Sequence, residues 1–79
     1  MSEKAEYRRL MADIEWMGVP DSPGPSHAFR PGREQSPCGA YRHPRDKPYA
    51  SRGGPCSECV RFYRKMATAN VRDSEKAAA

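Results

Sequence analysis

Three cysteines and two histidines are the residues of this 79-residue chain whose types and spacing indicate chemistry. Cys56 and Cys59 form a Cys-x2-Cys pair, a spacing that lets two sulfur atoms bind one metal ion. Cys38 is followed by Gly39, which permits the tight backbone turn of a metal-binding knuckle. The three cysteines therefore predict a metal site that needs one further ligand.

A closed structural zinc site has four nitrogen or sulfur ligands, so a histidine must complete this one. His43 lies five residues after Cys38 and precedes a proline in a segment typical of a solvated turn. His27 lies eleven residues before Cys38, beside an alanine and a phenylalanine that favour an extended, half-buried strand. We favour His27 because a strand holds a ligand firmly, and we keep His43 as the alternative fourth ligand. Zinc is preferred to an iron–sulfur cluster, which usually binds four thiolates.

The composition indicates why the chain needs a metal. Leu, Ile and Val together supply only five residues, against eight prolines and six glycines. Burial of so few side chains cannot offset the conformational entropy of ordering the whole chain. An odd number of cysteines fits poorly with a disulfide framework. We therefore predict a structural Zn²⁺ that supplies much of the folding free energy.

Three zones must position the ligands. Residues 2–17 predict an amphipathic helix, with one apolar stripe through Tyr7, Leu10, Met11, Ile14 and Met17. All the prolines and glycines lie in residues 18–55, where we expect short extended pieces at 27–29 and 39–42, joined by a turn at Pro31-Gly32. Residues 56–69 predict a second helix, and residues 70–79 a flexible tail.

These zones define the expected organisation: an N-terminal helix in residues 1–18, a zinc-binding lobe in 19–69 and a C-terminal tail in 70–79. The expected fold class is a small, zinc-stabilised α+β domain. The lobe would resemble a treble clef or zinc knuckle, with a short hairpin and a C-terminal helix.

The ligand residues and their neighbours resemble a group of short actinobacterial and actinophage zinc-finger-like proteins. The resemblance covers residues 26–66 and is carried by the strings His27-Ala28-Phe29, Cys38-Gly39 and Cys56-Ser57-Glu58-Cys59. It implies a Cys3His zinc site formed by His27, Cys38, Cys56 and Cys59. Ser57 departs from the pattern, because many members have proline there. An abundance of Ala, Arg, Gly and Pro is likewise typical of high-GC actinobacteria and their phages.

Two enzyme classes share part of this pattern, but this chain lacks features that their chemistry requires. Zinc-dependent nucleoside deaminases carry H-x-E and P-C-x-x-C, with the glutamate as proton shuttle. Phe29 stands where that glutamate is needed, and Cys38 would fill the position that water needs. A thioredoxin-like Cys-x2-Cys needs a βαβ context, which this Pro/Gly-rich chain does not predict. We expect no catalysis and no small-molecule substrate.

A formal net charge of +4 suggests the class of partner. Basic residues interleaved with aromatic ones are typical of nucleic-acid-binding surfaces, and they predict a transcription-related binding module. The candidate contact residues are Arg42, Arg45, Arg61, Arg64 and Lys65. The alternative is a protein-binding adaptor or inhibitor that docks through the N-terminal helix, with Trp16 as an outward-facing anchor. The same residue equally fits a position folded onto the zinc lobe.

Membrane association is not expected. No apolar run approaches the ~18 residues of a membrane span, and nothing resembles the apolar region of a signal peptide. We therefore expect a cytoplasmic protein whose thiols stay reduced.

Overall fold

A computed structural model describes residues 2–78 of the chain. It contains two α-helices and a three-stranded antiparallel sheet, in the order α1 (Glu3–Met11), β1 (Glu15–Gly18), β2 (His27–Phe29), β3 (Lys47–Pro48) and α2 (Ser57–Ala78). The predicted α+β class is confirmed. Neither helix within residues 2–78 combines the length and the apolar character needed to cross a bilayer.

The first helix is shorter than the sequence predicts. The side-chain oxygen of Ser2 caps it by accepting a hydrogen bond from the backbone N–H of Ala5 at 3.1 Å. The helix ends at Met11, so the prediction of a helix over residues 2–17 is wrong beyond that point. Residues 15–18 alternate between exposed and more buried positions, which is the pattern of a strand. Pairing of this segment with β2 on one edge and β3 on the other then favours a strand over a longer helix.

The short strand β1 lies at the centre of the sheet, whose order is β2-β1-β3. Met17 of β1 pairs with His27 of β2 in antiparallel register. The predicted hairpin between residues 27–29 and 39–42 is therefore wrong, because β2 pairs with β1 and not with the second segment. The second segment instead closes a tight loop through an isolated bridge between Gln35 and Tyr41.

The second helix is longer than predicted. The sequence indicates a helix over residues 56–69, but α2 continues without a break to Ala78. Val71 is only 6% exposed, so the third quarter of the helix still contacts the body of the protein. The predicted helix end at residue 69 is therefore wrong, since residues 70–78 belong to α2, and residue 79 lies outside the described residues. From Arg72 to Ala77 every side chain is exposed, so this end of α2 projects beyond the core.

The core lies where the sheet packs against α2. Trp16 is 8% exposed and forms one buried cluster with Ala28, Tyr63 and two of the cysteines. The helix α1 packs along α2, with the Arg64 guanidinium 5.7 Å from the centroid of the Tyr7 ring. The prediction of Trp16 as an outward-facing anchor on a helix is therefore wrong. Its indole lies on the inner face of β1 instead.

Replacing this tryptophan is expected to destabilise the fold. We predict that Trp16→Ala lowers the free energy of unfolding by about 3–5 kcal/mol, because it leaves a cavity in a small core. Chemical denaturation followed by circular dichroism measures the loss. Tyr41→Ala is the matched control: this ring is 71% exposed, so its removal should change stability by no more than about 0.5 kcal/mol. Equal denaturation midpoints for Trp16→Ala and Tyr41→Ala would contradict the core position of Trp16.

Candidate metal centre

Four possible metal ligands from three separate segments meet beside the core. His27 comes from β2, Cys38 from the loop that follows, and Cys56 and Cys59 from the start of α2. Their donor atoms, one imidazole nitrogen and three sulfurs, all lie within 4.8 Å of one another. The structure therefore brings together the four residues that the sequence favoured.

Two backbone hydrogen bonds hold β2 against the start of α2. The N–H of Ser26 donates to the carbonyl oxygen of Gly54 at 2.7 Å, and the N–H of Cys56 donates to the carbonyl oxygen of Ser26 at 2.7 Å. The two bonds flank a parallel bridge between Ser26 and Pro55. Because His27 directly follows Ser26, this contact sets the imidazole beside the first cysteine of the Cys-x2-Cys pair.

A tight loop presents the third sulfur. The N–H of Ser36 donates to the carbonyl oxygen of Ala40 at 2.8 Å, and the N–H of Gly39 donates back to the carbonyl oxygen of Ser36 at 3.0 Å. Gly39 has φ +92°, a left-handed conformation that glycine adopts without strain. The Sγ atom of Cys38 is thereby placed 3.1 Å from Nδ1 of His27. This is the tight backbone turn that the Cys38-Gly39 sequence predicts.

The Cys-x2-Cys pair lies at the amino end of α2. Cys56 directly precedes the helix and Cys59 lies in its first turn, where unpaired backbone N–H groups and the helix dipole favour thiolates. The Sγ atoms of Cys59 and Cys38 are 3.6 Å apart. In the described part of the chain all three cysteines are free thiols.

Burial and local hydrogen bonds set the protonation of the thiols differently. Burial, together with the neighbouring Cys38 and Cys56 sulfurs, raises the pKa of the Cys59 thiol to about 11. Burial also acts to raise the pKa of Cys38, but hydrogen bonds from the Ser36 hydroxyl and the Ala40 backbone outweigh it and lower that pKa. Three thiolates so close together repel one another unless a cation lies between them. The chemistry of these donors therefore suits a metal ion.

The distances between the donor atoms also suit a tetrahedral ion. Zinc bonds of about 2.0–2.3 Å place neighbouring ligand atoms about 3.3–3.8 Å apart. The Cys38 sulfur lies 3.1 Å from the His27 nitrogen and 3.6 Å from the Cys59 sulfur. These two separations are close to those of a tetrahedral site, and the remaining donor pairs lie within 4.8 Å.

The alternative ligand His43 lies outside this group. Its Nδ1 atom accepts a hydrogen bond from the backbone N–H of Arg45 at 3.1 Å. Its own backbone N–H donates to the carboxylate of Asp46 at 2.9 Å. His43 therefore forms part of an exposed turn, as the flanking proline and arginines suggested.

Three of the predicted contact residues lie together on α2. Arg61, Arg64 and Lys65 line one shallow groove along the exposed side of the helix. Thr68 and Arg72 continue the same stripe at helical spacing. Of the described residues that line this groove, none is acidic. We call it the basic groove.

The other two predicted contact residues lie elsewhere. Arg42 has a structural role: its guanidinium lies 4.8 Å from the Phe29 ring centroid and donates to the carbonyl oxygen of Arg33 at 3.1 Å. It also pairs with Glu15 at 3.5 Å. Arg45 is exposed on the His43 turn. Neither residue is among those that line the basic groove.

Arg72 also lines the basic groove, although the sequence predicts a tail at this position. It lies on α2 because the helix continues past residue 69. Its distance of eleven positions from Arg61 is a helical repeat, and that spacing would have identified it on a longer helix.

No protein-family model, no curated protein and no solved structure matches this chain. Its function must therefore be inferred from the chemistry of its own residues.

Proposed function

We propose that this chain is a small, non-enzymatic zinc-binding protein whose Zn²⁺ is structural. The convergence of four donor atoms within 4.8 Å, from segments far apart in sequence, carries the proposal. Three thiolates and one imidazole are a typical ligand set of structural zinc, whereas iron–sulfur clusters usually take four thiolates. Four protein ligands also leave no open position for water or substrate, which favours a structural role over catalysis.

We assign the lobe around the ion to the treble-clef or zinc-knuckle type. Two features support the assignment. The loop at residues 36–40 supplies one cysteine from a glycine-containing turn. The first turn of α2 supplies the Cys-x2-Cys pair. We also propose a cytoplasmic location, because a reducing compartment keeps cysteines available to bind a metal ion.

The zinc-stapled domain binds nucleic acid through the basic groove, in a transcription-related role. Arg61, Arg64, Lys65 and Arg72 are all exposed, and they extend over about 16 Å of helix. Arginine suits this role because its guanidinium binds phosphate with two parallel hydrogen bonds. Stacking on Tyr7 already orients the Arg64 side chain, which lowers the entropy lost on binding.

A protein-binding adaptor is the second candidate function from the sequence. Its expected anchor, Trp16, is buried in the core and offers nothing to a partner. The charge of the basic groove favours a polyanion instead. Salt dependence separates the two functions, because counterion release makes phosphate binding fall steeply with salt.

We expect the zinc-bound chain to bind a fluorescein-labelled DNA duplex with an affinity that falls linearly on a log–log plot against salt. Arg61→Gln/Lys65→Gln should weaken this binding at every duplex sequence. The plot of log affinity against log salt concentration should become shallower, by roughly 0.9 for each phosphate that the protein no longer neutralises. Fluorescence anisotropy at several salt concentrations measures both quantities.

The matched control removes two positive charges away from the groove. Arg8→Gln/Lys47→Gln gives the same net charge, and neither of these exposed residues lines the basic groove. It should leave the salt slope close to that of the unmodified chain. Equal slopes for the two double variants would show that binding follows net charge alone, and would contradict the proposed site.

A further inference from the structure

We propose that a second groove, beside the metal centre, stacks the unpaired bases of single-stranded nucleic acid. This inference rests on the proposed nucleic-acid binding and specifies the strand state of the ligand. We call this surface the aromatic groove. Its principal lining residues are Arg30, Arg33, Tyr41, Phe62, Tyr63 and Met66.

Two aromatic rings are exposed at this groove. Tyr41 is 71% exposed and Phe62 is 43% exposed, although the chain has few apolar side chains to spare from its core. The Phe62 ring contacts the buried Tyr63 ring edge to face, with centroids 5.1 Å apart and an interplanar angle of 89°. That contact fixes the orientation of the exposed ring, so it is prepared for stacking before a ligand arrives.

The charge of the groove suits a phosphate backbone. The Arg30 guanidinium lies 5.8 Å from the Tyr63 ring centroid and donates to the sulfur of Met66 at 3.6 Å, so its position is held. Arg33 adds a second positive charge, against one negative charge from Glu34. Exposed rings beside fixed arginines are the features that bind single strands: rings stack on bases while cations contact phosphates.

The same features exclude a duplex as the ligand of this groove. Bases inside a duplex present only their edges, because both faces are already stacked on neighbours. A protein ring reaches a base face only when the base is unpaired. The aromatic groove therefore takes single strands, whereas the basic groove contacts phosphates of either form.

Two probes of equal charge isolate stacking from electrostatics: a short labelled oligo(dT) and an abasic deoxyribose-phosphate oligomer of the same length. We expect the zinc-bound chain to bind oligo(dT) more tightly. Tyr41→Leu/Phe62→Leu should weaken oligo(dT) binding by about fivefold or more, and leave the abasic oligomer unaffected. Tyr41→Leu alone should reproduce part of the loss, and its exposure means that folding does not depend on it.

Tyr49→Leu is the matched control, because Tyr49 is 68% exposed but does not line the groove. It should retain the full preference for oligo(dT). An unchanged ratio of oligo(dT) to abasic affinity in Tyr41→Leu/Phe62→Leu overturns the inference. If duplex binding still depends on Arg61 and Lys65, the proposed function stands without it. If the DNA duplex, oligo(dT) and the abasic oligomer all fail to bind, both this inference and the proposed nucleic-acid binding are wrong. A protein partner would then be the expected ligand of the aromatic groove.

Discussion

Removal of zinc by a chelator is expected to unfold the purified chain. Two of the proposed ligands, Cys56 and Cys59, belong to the buried cluster itself, and only five Leu, Ile and Val residues support the rest of the fold. Structural zinc contributes apparent binding free energies of about 10–16 kcal/mol in small zinc-finger peptides, more than most domains of this size gain from their cores. Native mass spectrometry should find one zinc ion per chain. Circular dichroism should lose most of the helical signal when the ion is removed.

Re-addition of metal provides the control for this experiment. One equivalent of Zn²⁺ should restore the helical signal, whereas Mg²⁺ should not, because magnesium prefers oxygen ligands. A chain that carries no metal after purification, and keeps its helices in chelator, would contradict the zinc proposal. The cluster at His27 and the three cysteines would then be an ordinary part of the core.

Replacing the histidine ligand is expected to have the second largest effect. His27→Ala removes the only nitrogen donor of the group, so we expect zinc affinity to fall by more than 100-fold. Loss of a mere supporting hydrogen bond around a metal ion costs about 10–100-fold, and loss of a direct ligand should exceed that. Competition with a chromophoric chelator measures the affinity. Thermal unfolding in excess zinc measures the accompanying loss of stability.

His43→Ala is the matched control, since it removes the other imidazole of the chain. His43 hydrogen-bonds only within its own exposed turn among the described contacts, so zinc affinity should stay within a few-fold of the unmodified value. Comparable losses in the two variants would mean that the histidines contribute equally. That outcome would contradict the assignment of the fourth ligand.

The candidate site was predictable because ligand chemistry is local. Cys-x2-Cys at a helix start and Cys-Gly at a tight turn each require particular residues within a few positions. The turn at Pro31-Gly32 was predictable for the same reason: Gly32 adopts φ +78°, which few other residues tolerate. These short-range patterns predict candidate ligands, and in the structure the four donor atoms lie within 4.8 Å of one another.

The long-range pairing was not predictable from the same patterns. Residues 14–17 carry apolar side chains at helical spacing, yet residues 15–18 also alternate as a strand. The choice between them is made by β2 and β3, which pair with both edges of β1, and by the packing of Trp16 against Ala28 and Tyr63. The length of α2 was underestimated because residues 70–78 show mixed charge and alanine, a composition that suits a solvated helix as well as a tail.

The placement of the ligands implies an order of assembly for the fold. Cys56 and Cys59 are separated by two residues, whereas 17 residues separate Cys38 from Cys56 and 28 separate His27 from Cys56. Loop-closure entropy rises with the logarithm of loop length, so the local pair captures the ion at the lowest entropic cost. In a chain that binds the proposed zinc, the ion would then serve as a nucleus that recruits the Cys38 loop and finally the strand that bears His27. Refolding should therefore start at the amino end of α2, with the sheet forming last.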